Sequence, residues 1–485
     1  MKTNLRLLVG GVVVLGMGIA LGRTVGHLPS RTRPQTQSPP ARIALRLQHG
    51  AFLPASLSFP AGATLNVQND DDKTYTLEGA GILSGDVPIE PKSTREVSPL
   101  KEPGNYILNI EEDPTKELSV TITPSAGGVP TEALTEPLVR RAHRQGRQPV
   151  VFDEGHEPAY ASYTTFNLTV QGEEQRQEVL QAIHTFCRQL EPGDDPSIPE
   201  SVASIPEGIR PYFSQRHWEA FQPHFTFIVA LGPGCYEKAR FGPRVAASKP
   251  KDLHSITYSA PLHFDAAATQ KDVLVRVTSD SLWFNQQVCR SLWRQLAGKI
   301  SKPTLDFGYA NPEGRTPLLG GFFDGTGNPI GSERDKAVFG GSAGDHAEGG
   351  TYVTLFKIRF DEERFLAHRV VEQEKIVGRE QQSGRRLPGD KESSHRFKAE
   401  GDRSRQILRQ GFIYDYTPEE RGLLFASLQG SLTKQFEGIL RGYMMNPSAP
   451  KAGTGQDRLM EYMHFESGGY YFVPPIPKNG YPGKL

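Results

Sequence analysis

Cysteine is scarce: Cys187, Cys235 and Cys289 stand far apart in a chain of 485 residues. That spacing excludes a disulfide framework and any CxxC zinc or redox pair, so buried free thiols are expected. An excess of either charge is missing too, since 55 basic side chains face 55 acidic ones. With no long Lys/Arg run, nothing favours nucleic acid, which is held by neutralising phosphates. Long uncharged apolar runs are limited to one, Leu7 to Gly22, behind Lys2 and Arg6 and ahead of Arg23. This basic-then-apolar order reads as an export signal over 1–29, either cleaved near Ala20-Leu21-Gly22 or kept as a membrane anchor. No Arg-Arg pair marks it as a twin-arginine signal. The expected location is outside the cytoplasm, periplasmic or anchored and facing outward.

What the chain does contain divides it. A polar, Pro-rich stretch at 30–41 reads as a tether. From 42 to 124, short alternating runs such as "ARIALRLQHG", "ATLNVQND" and "GNYILNI" lie between Gly, Pro and Asp clusters, which predicts a small antiparallel β-sandwich. A second loose linker covers 125–150. The remainder, 151–485, mixes strand-like runs ("SYTTFNLTVQG", "HFTFIVALGP", "DVLVRVTSD", "GTYVTLFKIRFD") with helical spacing in "EEQRQEVLQAIHTFCRQL", "SLWFNQQVCRSLWRQLAG", "EERFLAHRVVEQE" and "ERGLLFASLQGSLTKQFEGIL". Its order of elements predicts an α+β domain of two related halves.

One stretch stands apart. "LLGGFFDGTGNPIG", Leu318 to Gly331, sets Asp324 among five glycines directly behind Phe322 and Phe323. Alone it reads as a tight loop, because Gly supplies positive φ and Asp bonds its own backbone.

The segment 42–124 resembles a cupredoxin in the order "FLPASLSFPAGATLNVQNDD…Y" followed by "PGNYILNI". A type-1 copper site needs a Cys thiolate and two imidazoles. This segment has no Cys, and its one His is His49, which excludes blue-copper chemistry there. Thr74 or Tyr75 stands where the family's first His would be. The acidic clusters Asp70-Asp71-Asp72 and Glu111-Glu112-Asp113 are oxygen donors for a hard cation, although such loop-tip charges are usually just solvated.

The segment 151–485 resembles the dye-decolourising peroxidases, a heme family of two ferredoxin-like halves. The matching pieces run in order: "LLGGFFDGTGNP" for the GxxDG motif, "GGTYVTLFKI", "EQEKIVGRE", "ILRQGFIYDY", "GLLFASLQGSLTKQFEGI" and "EYMHFESGGYYFVPP". The likeness is strongest to exported peroxidases that accompany ferrous-iron uptake. It implies heme b as cofactor, with hydrogen peroxide and a small-molecule reductant as substrates. It implies Asp324 as the distal group that moves a proton between the peroxide oxygens, and Arg409 as the fixed cation beside the departing oxygen. Gly325 and its neighbours would let the loop lie against the porphyrin, with Phe322 and Phe323 as apolar walls. His395 would be the proximal iron ligand and Glu461 the acid that fixes its tautomer.

On spacing alone His346, His368 and His464 also stand in the C-terminal half, and His368 is the best alternative ligand. Trp283, Trp293, Tyr462 and Tyr470 are nominal relay aromatics, more often core. Two other functions share the same residues: handling heme or porphyrin, or oxidising ferrous iron for an uptake system whose proteins would be partners. A heme or metal carrier with vestigial catalysis is the third. A homo-oligomer is compatible with all of them.

Overall fold

The computed structural model describes residues 42–485 apart from 55, 61–62, 80–82, 84–86, 98–103, 124–141, 143–144, 153–157, 191–224, 257–261, 263, 311–314, 324–326, 330, 340–347, 390, 401–404 and 478–479. The export signal, the 30–41 tether and most of the second linker lie outside the described residues. Among the described residues no helix is long and apolar enough to cross a membrane.

The small β-domain has two sheets. One orders Ala51–Leu53, Arg42–Gln48, Thr64–Asn69 and Thr94–Val97, and the other Ser56–Pro60, Asp113–Thr123, Gly104–Ile110, Tyr75–Glu78 and Val87–Ile89. Alternation turns Leu45, Leu47, Leu65 and Val67 of the first sheet toward a shared core with Leu77, Leu108, Ile110, Leu118 and Val120 of the second. The sandwich is mixed rather than purely antiparallel. Arg42–Gln48 pairs parallel with Thr64–Asn69, and Ser56–Pro60 parallel with Asp113–Thr123. The reason is connectivity: each of these pairs is separated by other strands, which gives the chain length to cross over.

In the long domain, the first half orders its strands Ile300–Tyr309, Tyr160–Leu168, Val273–Ser279, Thr226–Leu231, which is fourth, first, third, second in chain order. The second half repeats that order with Met463–Val473, Thr351–Phe360, Arg421–Gln429 and Phe412–Asp415. The two sheets are not separate. They join at Leu231↔Phe472 and at Tyr309↔Ile413, so the eight strands close on themselves and leave no long free edge. Helices cover the outside. Gly172–Arg188 buries Val179, Leu180, Ile183, Phe186 and Cys187 at three-to-four spacing, each apolar side chain contributing about 1.5–3 kcal/mol. Leu282–Gln295 is capped by Ser281, whose hydroxyl accepts the Phe284 N–H. All three cysteines are buried and outside any disulfide, and burial pushes the Cys235 thiol up to about 12.

Two expectations need correction. The run "RGLLFASLQ" forms the strand Arg421–Gln429, not a helix, and helical turns begin only at Leu432. A short apolar run cannot decide its own period, and the partner strand Thr351–Phe360 decides it here. The single helix expected around His368 is broken into Glu362–Leu366 and Val370–Val377, with His368 in the break.

Candidate active site

His395 opens the short helix His395–Glu400. It follows the buried Ser394, whose hydroxyl accepts the Phe397 N–H at 3.3 Å. Its Nδ1 lies 2.7 Å from Oδ2 of Asp457, a carboxylate with no solvent exposure. A carboxylate only accepts, so the hydrogen bond puts a proton on Nδ1, and in the neutral ring the lone pair is then on Nε2. Asp457 is itself held: its other oxygen accepts the Leu459 N–H at 2.9 Å, its own N–H donates to the Met444 carbonyl, and the next N–H, of Arg458, donates to the Ser393 carbonyl. A partnered imidazole with a free Nε2 is the donor set that a heme iron takes as axial ligand.

Glu461 does not fill the role expected of it. It is 61% exposed and turns to Arg364, which donates to its backbone oxygen at 3.0 Å and stands 3.8 Å from its carboxylate. Asp457 is the N-cap of the 3-10 turn Arg458–Tyr462 and Glu461 lies four residues on within it, and at three residues per turn positions four apart point to different sides. Capping turns Asp457 inward. The sequence signal was there, an Asp directly ahead of an apolar turn in "DRLMEY".

His368 is committed elsewhere, its Nε2 lying 2.8 Å from the Tyr462 hydroxyl. His464 is exposed on its strand, and His346 lies outside the described residues. Of the nominal relay aromatics, Tyr462 and Tyr470 are buried, Trp293 donates to the Thr164 hydroxyl at 2.8 Å, and Trp283 is exposed.

Asp324 and Gly325 lie outside the described residues, but both flanks of their loop are described. On one side Phe322 packs in a core cluster with Leu318, Phe360 and Phe365, which makes it a core residue rather than an open wall. Phe323 faces the other way, against Gly384, where an added Cβ would come within 2.9 Å of its ring. Its N–H donates to the Gln381 carbonyl at 3.2 Å. On the far side, Asn328 accepts the Arg409 N–H and donates to the Arg409 carbonyl, both at 2.8 Å. The described end of the Gly-rich stretch, at Asn328, is thereby fastened to the backbone of Arg409. The Arg409 guanidinium in turn donates to the Ala399 carbonyl of the His395 helix at 3.3 Å. Asn328 was not expected as a site residue, although it stands inside the Gly-rich motif.

The acidic stretch in the small β-domain has a structural use. Asp71 accepts the Tyr75 hydroxyl at 2.7 Å and the His49 and Gly50 amides at 2.9 and 2.8 Å, and these bonds hold its carboxyl down to about 2.

A closed, duplicated ferredoxin-like sheet with an aspartate-oriented imidazole and an arginine tied to a Gly-rich loop defines a heme-enzyme architecture. Residues 155–304 match the model of the Dyp-type peroxidase N-terminal region and residues 316–478 that of its C-terminal region. A dye-decolorizing peroxidase of Mycobacterium tuberculosis is 26% identical over 278 residues, covering 54% of this chain and 77% of its own. One of Rhodococcus erythropolis is 24% identical over 254 residues, covering 51% and 71%. Among solved structures, a DyP-type peroxidase from Cellulomonas bogoriensis superposes with a TM-score of 0.54 at 18% identity, over 68% of this chain and 93% of that one. A Rhodococcus jostii variant solved in complex with heme gives 0.51 at 20%, over 66% and 94%. The chain belongs to the Dyp-type peroxidase family, and its activity class is that of a heme-dependent peroxidase. The small β-domain lies outside both matched regions.

Proposed function

We propose that the chain reduces hydrogen peroxide to water at the expense of a small-molecule reductant, with His395 as the axial ligand of heme b. The observation that carries this is the His395–Asp457 pair, which engages Nδ1 and leaves Nε2 of the neutral ring as the lone-pair donor. Bound heme supplies the redox-active iron that accepts peroxide and passes on the reductant's electrons. The chain's own residues do the rest. Asp324, as a carboxylate, takes the proton from the nearer peroxide oxygen and returns it to the farther one, which leaves as water. Arg409 keeps its positive charge at any working pH and stabilises the negative charge growing on that departing oxygen. Asn328 keeps the two in register by tying the Asp324 loop to the Arg409 backbone. Asp457 makes the imidazole more basic and fixes its angle.

Export through 1–29 belongs to the same reading and rests on the basic-apolar order of that segment. The sequence likeness to peroxidases of ferrous-iron uptake supports iron-uptake proteins as partners. The test is to purify the full chain, load it with heme, and follow its absorption spectrum before and after peroxide, with a phenolic dye as reductant. A heme-loaded protein that turns over dye only with peroxide is expected, and a protein that binds heme without consuming peroxide would overturn the reading.

A further inference from the structure

The small β-domain meets the peroxidase domain through buried charge. Glu78 ends the strand Tyr75–Glu78, and Glu111 lies in the turn after Gly104–Ile110. Both pair with one guanidinium, Arg386: Glu78 at its Nε, and Glu111 at 2.5 Å from Nη1. The Arg386 side chain is only 6% exposed. Its remaining nitrogen, Nη2, lies 2.9 Å from Glu400, the last residue of the helix that begins at His395. Glu400 also takes Arg379 at 3.1 Å and Arg396 at 2.8 Å.

The carboxylates of the small domain are presented on a fixed edge. The Glu111 N–H donates to the Thr76 carbonyl at 2.8 Å, and Glu112 accepts the Thr76 N–H and hydroxyl. Arg385, beside Arg386, pairs with Glu117 of the same domain and with Glu380 at 3.1 Å. The arginines belong to a hairpin closed by the Arg379↔Arg386 bridge. That hairpin touches both sides of the candidate site. Through Gln381 and Gly384 it holds Phe323, next to Asp324, and through Arg379 and Arg386 it holds Glu400.

Charge gives this contact its weight. Burial alone would raise the Glu400 carboxyl, yet Arg396, Arg386, Arg379 and Arg409 together keep it below the ordinary carboxylate value. Four guanidinium groups thus act on one carboxylate. A buried cation stripped of its partners is strongly destabilising. Glu78 and Glu111, together with Glu400, supply the negative charge around the buried Arg386.

We propose that the small β-domain is a built-in clamp on the heme-ligand helix, with Arg386 as its positioning residue: Glu78 and Glu111 hold Arg386, Arg386 holds Glu400, and Glu400 holds the helix that starts at His395. This gives the domain a role that needs no metal of its own, and the heme part of it rests on His395 being the ligand. The test uses the full chain carrying Glu78→Gln and Glu111→Gln together, with Arg386→Lys as the second variant, which keeps the charge but puts one nitrogen where three separate guanidinium nitrogens each meet a carboxylate.

Hydrogen exchange on the heme-free protein decides the clamp without any assumption about heme. Amides of 379–400 should exchange on the order of tenfold faster in both variants, while the strand Val273–Ser279 should stay at its unmodified rate. In the heme-loaded protein the ferric–ferrous midpoint should move positive in the Gln pair, since two negative charges are lost, and should stay near its original value in Arg386→Lys. Unchanged exchange at 379–400, or a rise spread equally over Val273–Ser279, would overturn the proposal. A failure of the unmodified protein to bind heme through His395 would overturn the heme assignment and leave the exchange result standing.

Discussion

Asn328 hydrogen-bonds the backbone of Arg409 in both directions, at 2.8 Å each way. A carboxamide used in this way acts as an extra rung between two strands, fixing both position and orientation. It joins two pieces of chain 81 residues apart, and those pieces carry Asp324 and Arg409, to which the proposed function gives the proton-moving and charge-stabilising roles. Asn328, four residues after Asp324 in the chain, is therefore fastened to the Arg409 strand through backbone groups.

Asn328→Ala should separate loop from strand. Two hydrogen bonds worth roughly 0.5–1.5 kcal/mol each disappear, so a stability loss of about 1–3 kcal/mol is expected in denaturant titrations. Heme binding should persist while the first reaction with peroxide slows about tenfold, because a misplaced catalytic group costs rate more than affinity.

Asp457→Ala should weaken heme retention by about 10–100-fold, the usual effect of losing the partner of a metal-bound imidazole. Asp457→Asn should fall in between. Glu461→Gln should change nothing measurable, since that carboxylate is exposed. Heme titration followed at the Soret band reads all three.

His395→Ala should purify without heme, and His368→Ala should retain it, because the His368 Nε2 is engaged by Tyr462. Heme retention in the first variant and loss in the second would exchange the two assignments.

His184 makes the fold sensitive to acid. Its Nδ1 has no hydrogen-bond partner among the described residues, its ring lies 6.3 Å from that of Phe227, and burial, with Arg188 nearby, lowers its pKa to about 4. The unfolded chain binds this proton near pH 6.5 and the folded chain only near 4. Stability is therefore intact above 6.5 and declines as pH falls from there toward 4. His184→Leu should remove part of that decline, on the order of 1 kcal/mol once partial exposure is discounted. Thermal melts at pH 7 and pH 5 would show it as a smaller drop in Tm for the variant.

Much of the fold was legible where pattern and pairing agree. The strands Tyr160–Leu168, Val273–Ser279 and Thr351–Phe360 are largely buried on both faces and read as runs rich in apolar, aromatic and β-branched residues. Ile300–Tyr309 was not legible: it is mostly half-buried, it contains Lys302, Pro303 and Asp306, and its proline falls at a register shift against Tyr160–Leu168. In the site, His395 and Arg409 lie within stretches that carry a family pattern. The choice between Asp457 and Glu461 was hidden because both acids belong to one turn, and only its cap geometry says which faces the imidazole. The link from Glu78 and Glu111 to Arg386 was hidden for a different reason. It joins residues some three hundred positions apart, and no local pattern encodes such a contact.

The measurement that bears most directly on the account is stopped-flow reaction of the heme-loaded protein with hydrogen peroxide, comparing the unmodified chain with Arg409→Leu and Asp324→Asn. Loss of one preorganised charge or donor at a transition state typically costs on the order of a hundredfold, and each variant should slow the first peroxide-dependent spectral change by about that much while keeping its heme. Unmodified rates in both heme-loaded variants would contradict the account, leaving the Gly-rich loop as a cofactor clamp and the chain as a heme carrier.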